Sequence, residues 1–167
     1  MIRAATTIAL ISGALLSSAA WSQTFDAKAR AIDGDTVAVD LRLLGVDAFE
    51  RGQLCQRESG CWQCGKAAQD FAANALRSKA ATIRLMPSSS YGRPVAVVTV
   101  DGEDLGVRLI RAGLATPQAS FLRDDPARLR AYNMAFASAR SQRVGAFAGV
   151  WLEPSRWRHG DRLSCER

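Results

Sequence analysis

From Thr24 to Val46 apolar and polar positions alternate in short runs, with Asp33-Gly34 as a turn signal and "TVAV" and "LRLLGV" as strand runs. Arg51 to Gly65 loses that pattern; polar, glycine-containing and rich in cysteine, it predicts a loop clamped by a disulfide rather than a packed element. The period then changes. Ala68, Phe71, Ala72, Ala75 and Leu76 recur at i, i+3, i+4, i+7 and i+8, one helical stripe with Lys66 and Asp70 outside it. "ATIRLM" and "PVAVVTV" return to strand character around the turn-rich "PSSSYGR". Asp104 to Ala112 predicts a short helix ended by Gly113. Asp125 as N-cap and Pro126 as first helical residue open a longer helix through about Arg143. Five short strands, a helix inserted after the third and two helices beyond them predict an α+β domain: a small barrel capped by helices.

The two ends depart from this pattern. Arg3 precedes the uncharged, largely apolar "AATTIALISGALLSSAAWSQ", which ends in small residues and has the layout of a secretory leader over residues 1–22, cleaved after Ala20 or Ser22. Its apolar centre is short and dilute for a membrane anchor. Export to a periplasm or the medium is the expectation, with no membrane association after cleavage. The folded domain is then expected over residues 23–154, with residues 155–167 a basic tail that Cys165 ties back to the body. Roughly 145 residues suffice for one core and one domain, expected as a monomer. The net charge of +6 favours polyanionic partners without identifying one.

The four cysteines are Cys55, Cys61, Cys64 and Cys165. In an exported chain an even count favours two disulfides, with three pairings open. Zinc would need these thiols, or three of them with His159, to converge. A redox role for "CWQC" lacks the surrounding strand and helix of a thioredoxin-like fold.

Carboxylates are depleted in strands and repel when crowded, yet Asp33, Asp35, Asp47 and Glu50 cluster around Arg42. Such oxygens can hold a hard cation, and Asp35 and Asp47 are the candidate ligands. Glu50, three residues beyond Asp47, is placed to take a proton from water. Arg42 and Arg93 can clamp a phosphate and stabilise charge developing on it. Each has a plainer reading: Asp33-Gly34 as a turn, Arg42 as the ion-pair partner of Asp47 or Glu50, Arg93 as solvated surface. A histidine acid and base pair is excluded because His159 is the single histidine. Ser88 to Ser90 have no base beside them, and Trp62, Trp151 and Trp157 read as packing residues.

"IDGDTV", "RLLGVDAFE", "YGRPVAVV", "LIRAGLA" and "GVW" stand in the order and near the spacing of the staphylococcal nuclease-like (thermonuclease) family, which the chain resembles from about Ala29 to Trp151. The resemblance implies a five-stranded OB-type β-barrel with three helices and Ca2+-dependent cleavage of DNA and RNA to 3′-phosphate products. It implies one Ca2+ on Asp35, Asp47 and the Ala48 backbone carbonyl, catalytic roles for Arg42, Glu50 and Arg93, and Tyr91 against the nucleotide. A family member that only binds nucleic acid or a protein is the alternative; the retained carboxylates and arginines favour activity.

Three departures from the family pattern bear on the site. "DAFE" places Phe49 where the family has proline, the hairpin between Asp35 and Arg42 is short and lacks glycine, and Ser90 is neutral where a basic residue often precedes the tyrosine. Regular alternation also puts Arg42 and Asp47 on opposite faces, so Gly45 or the strand end must bend the chain.

Overall fold

A computed structural model describes residues 24–77 and 79–166. The leader expected over residues 1–22 lies outside these. Among the described residues no helix is long and apolar enough to cross a membrane.

The longest hairpin is β7 (Ala81–Ser90) paired antiparallel with β8 (Arg93–Val100). It turns at Tyr91 and Gly92, both at positive φ, 52° and 72°, as a two-residue loop matched to strand twist requires. The "PSSSYGR" segment is therefore mostly strand: β7 continues through Ser90 after a register shift between Leu85 and Ser89, and only Tyr91-Gly92 remains turn. The short β3 (Arg42–Leu43) lies parallel to β8, with Arg42 opposite Val95, and β9 (Glu103–Asp104) pairs with the far end of β8.

The remaining strands pair locally. β1 (Ala29–Ala31) joins β2 (Val37–Val39), β4 (Val46–Ala48) joins β10 (Ala115–Pro117), and β5 (Cys55–Arg57) joins β6 (Gly60–Trp62). The described strands form one four-stranded and three two-stranded sheets with no closed barrel among them, so the α+β class stands and the expected five-stranded barrel is not confirmed. The ladder breaks at Gly45, where the chain turns at φ +66° between β3 and β4. The β1–β2 hairpin pairs only with itself and buries little. The segment expected as a loop over Arg51 to Gly65 holds the β5–β6 hairpin, closed by the disulfide Cys55–Cys64.

The three expected helices are present as α1 (Cys64–Leu76), α2 (Leu105–Arg111) and α3 (Pro126–Ser141). Asp104 caps α2 by accepting from Gly106 N at 2.7 Å and Val107 N at 3.1 Å, and Asp125 caps α3 by accepting from Arg128 N at 3.0 Å. Each cap satisfies amides that lack intrahelical partners, worth about 1 kcal/mol apiece. Gly113, at φ +68°, ends α2 against the Val144 carbonyl, where a Cβ would approach to 2.1 Å.

The main core joins Val95, Val98 and Val100 of β8 to Leu105, Leu109 and Ile110 of α2 and Tyr132 of α3. Each buried aliphatic side chain stabilises by about 1.5–3 kcal/mol. The Tyr132 hydroxyl lies 3.2 Å from the Leu44 carbonyl and 3.1 Å from Asp104 Oδ1, donating to one at a time. Burial raises its pKa, with Arg128 opposing. A second cluster, Phe49, Cys55, Cys64, Ala139, Ala146 and Phe147, underlies the chain that follows β4.

Candidate active site

Gly45 supplies the required bend. A Cβ there would come within 2.5–2.7 Å of Leu122 side-chain atoms, so both the positive φ and the close packing demand glycine. Beyond the bend, β4 is held by β10, with Asp47 opposite Thr116. Asp47 is 3 % exposed, and its Oδ1 lies 3.9 Å from Arg42 on β3. Two residues that an unbroken strand would send to opposite faces thus meet.

Phe49 is buried, edge-on to Phe147 and Trp151 at centroid separations of 6.4 and 5.9 Å. Its ring anchors the chain from inside the second cluster, and Glu50 is then fixed by backbone contacts. Glu50 N donates to Gln53 Oε1 at 3.1 Å, Gln53 N donates to the Glu50 carbonyl at 2.7 Å, and buried Gln53 donates through Nε2 to the Leu152 carbonyl at 2.8 Å. Gly65 sits so close that a Cβ would lie 1.5 Å from the Glu50 carbonyl oxygen. Any larger residue there would displace Glu50.

The parallel pairing of β3 with β8 sets Arg42 beside Val95, and Arg93 stands two residues earlier on β8, on the same side of the sheet. Both arginines, Asp47, Ala48, Glu50 and Tyr91 line one cleft of about 580 Å3. Tyr91 is 90 % exposed on the β7–β8 turn, with the Arg42 guanidinium 5.7 Å from its ring centre.

Asp35 is placed elsewhere. It lies exposed in the β1–β2 turn, where its amide donates to Asp33 Oδ1 at 3.3 Å and its Oδ1 accepts from Thr36 Oγ1 at 3.2 Å. It is absent from the cleft lining. Hydrogen bonding with Asp35 and Thr36 holds the neighbouring Asp33 carboxyl below its ordinary range.

In its stead the cleft receives Arg158, which sequence reasoning missed. Arg158 ends α4 (Pro154–Arg158) and grips Asp47 with a two-pronged contact, Nη1 to Oδ1 at 2.8 Å and Nη2 to Oδ2 at 3.0 Å; Nη1 also donates to Glu50 Oε1 at 2.7 Å. Bonding to Asp47 raises the pKa of this guanidinium further, with Glu50 adding to it and burial opposing. Gln118 Nε2 donates to Asp47 Oδ2 at 3.2 Å. Nearby, burial raises the Glu153 carboxyl, which accepts from Thr116 Oγ1 at 3.3 Å and feels the Asp47 charge.

Arg158 is held there by the tail. Cys165 is bonded to Cys61 on β6. Glu166 accepts from Leu54 N at 2.8 Å, Trp157 Nε1 at 2.9 Å and Leu163 N at 3.0 Å. The Arg162 guanidinium lies 4.0 Å from the Trp157 ring centre. The clue in the sequence was Cys165: its possible partners all follow Glu50 within fifteen residues, so a disulfide to any of them returns the tail to the site.

The described residues contain no group of three or more His, Cys, Asp or Glu side chains arranged to hold a metal ion. Both Asp47 oxygens carry the Arg158 fork and Asp35 is on a separate hairpin, so the expected calcium ligands are not gathered at one point while Arg158 holds Asp47.

Fold and cleft together define an α+β domain with buried carboxylate and paired guanidinium groups facing one opening, chemistry suited to an anionic diester. A family model described as Staphylococcal nuclease homologue matches residues 40–151, and the chain belongs to that family. It is 33 % identical over 95 residues to a thermonuclease of Staphylococcus intermedius, across 52 % of this chain and 55 % of the relative. The match thus spans about half the length of that curated relative.

Proposed function

We propose that this chain is an exported nuclease hydrolysing phosphodiester bonds of DNA and RNA. The observation that carries the reading is that Arg42, Glu50 and Arg93 line one cleft in a chain of the staphylococcal nuclease homologue family. The substrate phosphate sits against Arg42 and Arg93, whose guanidinium groups stabilise the negative charge added at phosphorus. Glu50 accepts the proton of the attacking water. Tyr91, at the open rim, contacts the nucleotide. Release of 3′-phosphate ends belongs to the same proposal, as does action as a monomer without membrane association.

Calcium dependence rests on the family. The bound ion would supply further positive charge at the reacting phosphate, with Asp47, the Ala48 carbonyl and Asp35 as the candidate ligands; the arrangement described above gives Asp47 to Arg158, so every step here uses the chain's own groups.

The contact between Arg158 and Glu50 also favours a second reading, a nuclease-like domain that binds nucleic acid without cutting it, because the guanidinium occupies the Glu50 oxygen that would otherwise face the attacking water. Digestion of plasmid DNA and of RNA with Ca2+, Mg2+ or chelator separates the two. The expected result is cleavage of both nucleic acids, supported by Ca2+ and lost with chelator, and slowed about 100- to 1,000-fold by Glu50→Gln, Arg42→Gly or Arg93→Gly. Nucleic-acid binding without cleavage under every cation would establish the second reading.

A further inference from the structure

The Asp47 carboxylate is almost fully buried, and both of its oxygens are bonded to Arg158. A buried carboxylate needs a compensating charge. Arg42 contributes only a long contact at 3.9 Å, so the main compensation comes from the tail.

We propose that Arg158 is the resident cation of the carboxylate pair: a tethered guanidinium occupies the oxygens of Asp47 and Glu50, and a divalent ion binds there only by displacing it. The proposal rests on reading this cleft as the nuclease site, and it identifies a residue of that site that lies beyond the segment shared with the family, residues 40–151.

Three observations support it. First, the geometry is that of a planar fork on a carboxylate, which a lysine cannot reproduce. Second, the same Nη1 bridges Asp47 and Glu50, so a single side chain neutralises the pair. Third, the segment bearing Arg158 is fastened on both sides. Ahead of it, the Leu152 carbonyl accepts from Gln53; beyond it, Cys165 is bonded to Cys61 and Glu166 to the amide of Leu54. Tethering raises the local concentration of the guanidinium far above that of a free ion. The cation therefore competes as part of the fold.

With the guanidinium gone, the Asp47 and Glu50 carboxylates and the Ala48 carbonyl would be the oxygens open to Ca2+. The test is calorimetric titration of the full chain, without nucleic acid, with Ca2+ alone. Arg158→Gln is compared with wild type and with Arg156→Gln, which removes the same charge from the same helix but pairs with Asp161 outside the cleft. Arg158→Gln is expected to bind Ca2+ at least about tenfold more tightly than wild type, whereas Arg156→Gln shifts the affinity less than about twofold. Arg158→Lys, which keeps the buried carboxylate compensated if the glutamine variant does not fold, is expected to fall between them.

Equal affinity in wild type and both Arg158 variants, an equal shift from Arg156→Gln, or no calcium binding by any variant would overturn the proposal. Because no substrate is present, these outcomes are read independently of cleavage. A chain that fails to digest nucleic acid yet shows the Arg158-dependent calcium shift would lose the nuclease reading and keep the cation exchange.

Discussion

Two polar segments bracket the fold and are held in opposite ways. The β1–β2 hairpin, which carries Asp35, is exposed along β1 and at its turn, and its strands pair only with each other. The segment 154–166, which carries Arg158, is similarly short and charged, yet a disulfide, the carboxylate of Glu166 and the buried Pro154 fasten it to the body. A charge gains a defined position from the contacts behind it. Asp35 has a local turn behind it; Arg158 has a covalent bond and a hydrogen-bonded frame.

The largest test of that difference is removal of the fastening. The Cys61–Cys165 bond spans a sequence separation of 104 residues, and long closed loops restrict the unfolded chain most. Replacing both cysteines with serine is expected to lower stability by about 2–5 kcal/mol, read from denaturant melts. If Glu166 and Trp157 alone held the tail, the loss would be under about 1 kcal/mol, and the disulfide would be incidental to the contrast. The next effect is smaller. Asp47→Asn removes the charge and one of the two oxygens that accept the Arg158 fork and is expected to destabilise by about 1–3 kcal/mol by the same melts, because the partner guanidinium is only partly screened by solvent at 36 % exposure.

The strand and helix elements were legible where local pattern decides. The stripe from Ala68 to Leu76 gave α1, and Asp125-Pro126 gave the start of α3, because caps and periodicity are local properties. The need for a bend at Gly45 was also legible, since period-two alternation cannot bring Arg42 to Asp47 otherwise. The expected five-stranded barrel is not confirmed among the described strands, because pairing between distant strands depends on irregularities such as the register shift near Leu85 that alternation does not encode. The β5–β6 hairpin was hidden by cysteines and glycines that read as loop. Arg42, Asp47, Glu50 and Arg93, named from separate motifs of the sequence, line one cleft. Arg158 was not legible: Cys165 indicates that the tail returns, but the aim of the guanidinium at Asp47 is set by the contacts of Trp157 and Glu166, which lie far from Leu54 in the chain and carry no local pattern.

The tail should also respond to acid. Burial would raise the Glu166 carboxyl, but hydrogen bonds from Leu54, Leu163 and Trp157, with the charge of Arg162, outweigh it and hold the pKa below its ordinary value of 4.5. A folded-state pKa below the unfolded one contributes stability above the unfolded value, and that contribution is lost as pH falls through the folded value. Melts taken downward from about pH 4.5 should therefore show a declining contribution from this residue. Glu166→Gln should flatten that decline, while the difference between the two proteins stays constant above pH 5 to 6, roughly one unit beyond the ordinary glutamate range. An identical acid limb in both proteins would remove Glu166 from the frame that holds Arg158.

The smallest effect is expected on the other side of the comparison. Asp35→Asn removes a charge from an exposed turn and keeps an oxygen able to accept from Thr36, so the local bond at 3.2 Å has a substitute. Surface changes of this kind usually stay within about 0.5 kcal/mol, and melts of the variant should overlay those of wild type to that extent. A loss above about 1 kcal/mol would mean that the hairpin is fastened through Asp35 to something other than its own turn. In that event the contrast with the tail fails, and the hairpin would have to be counted among the segments whose charges the fold holds in place.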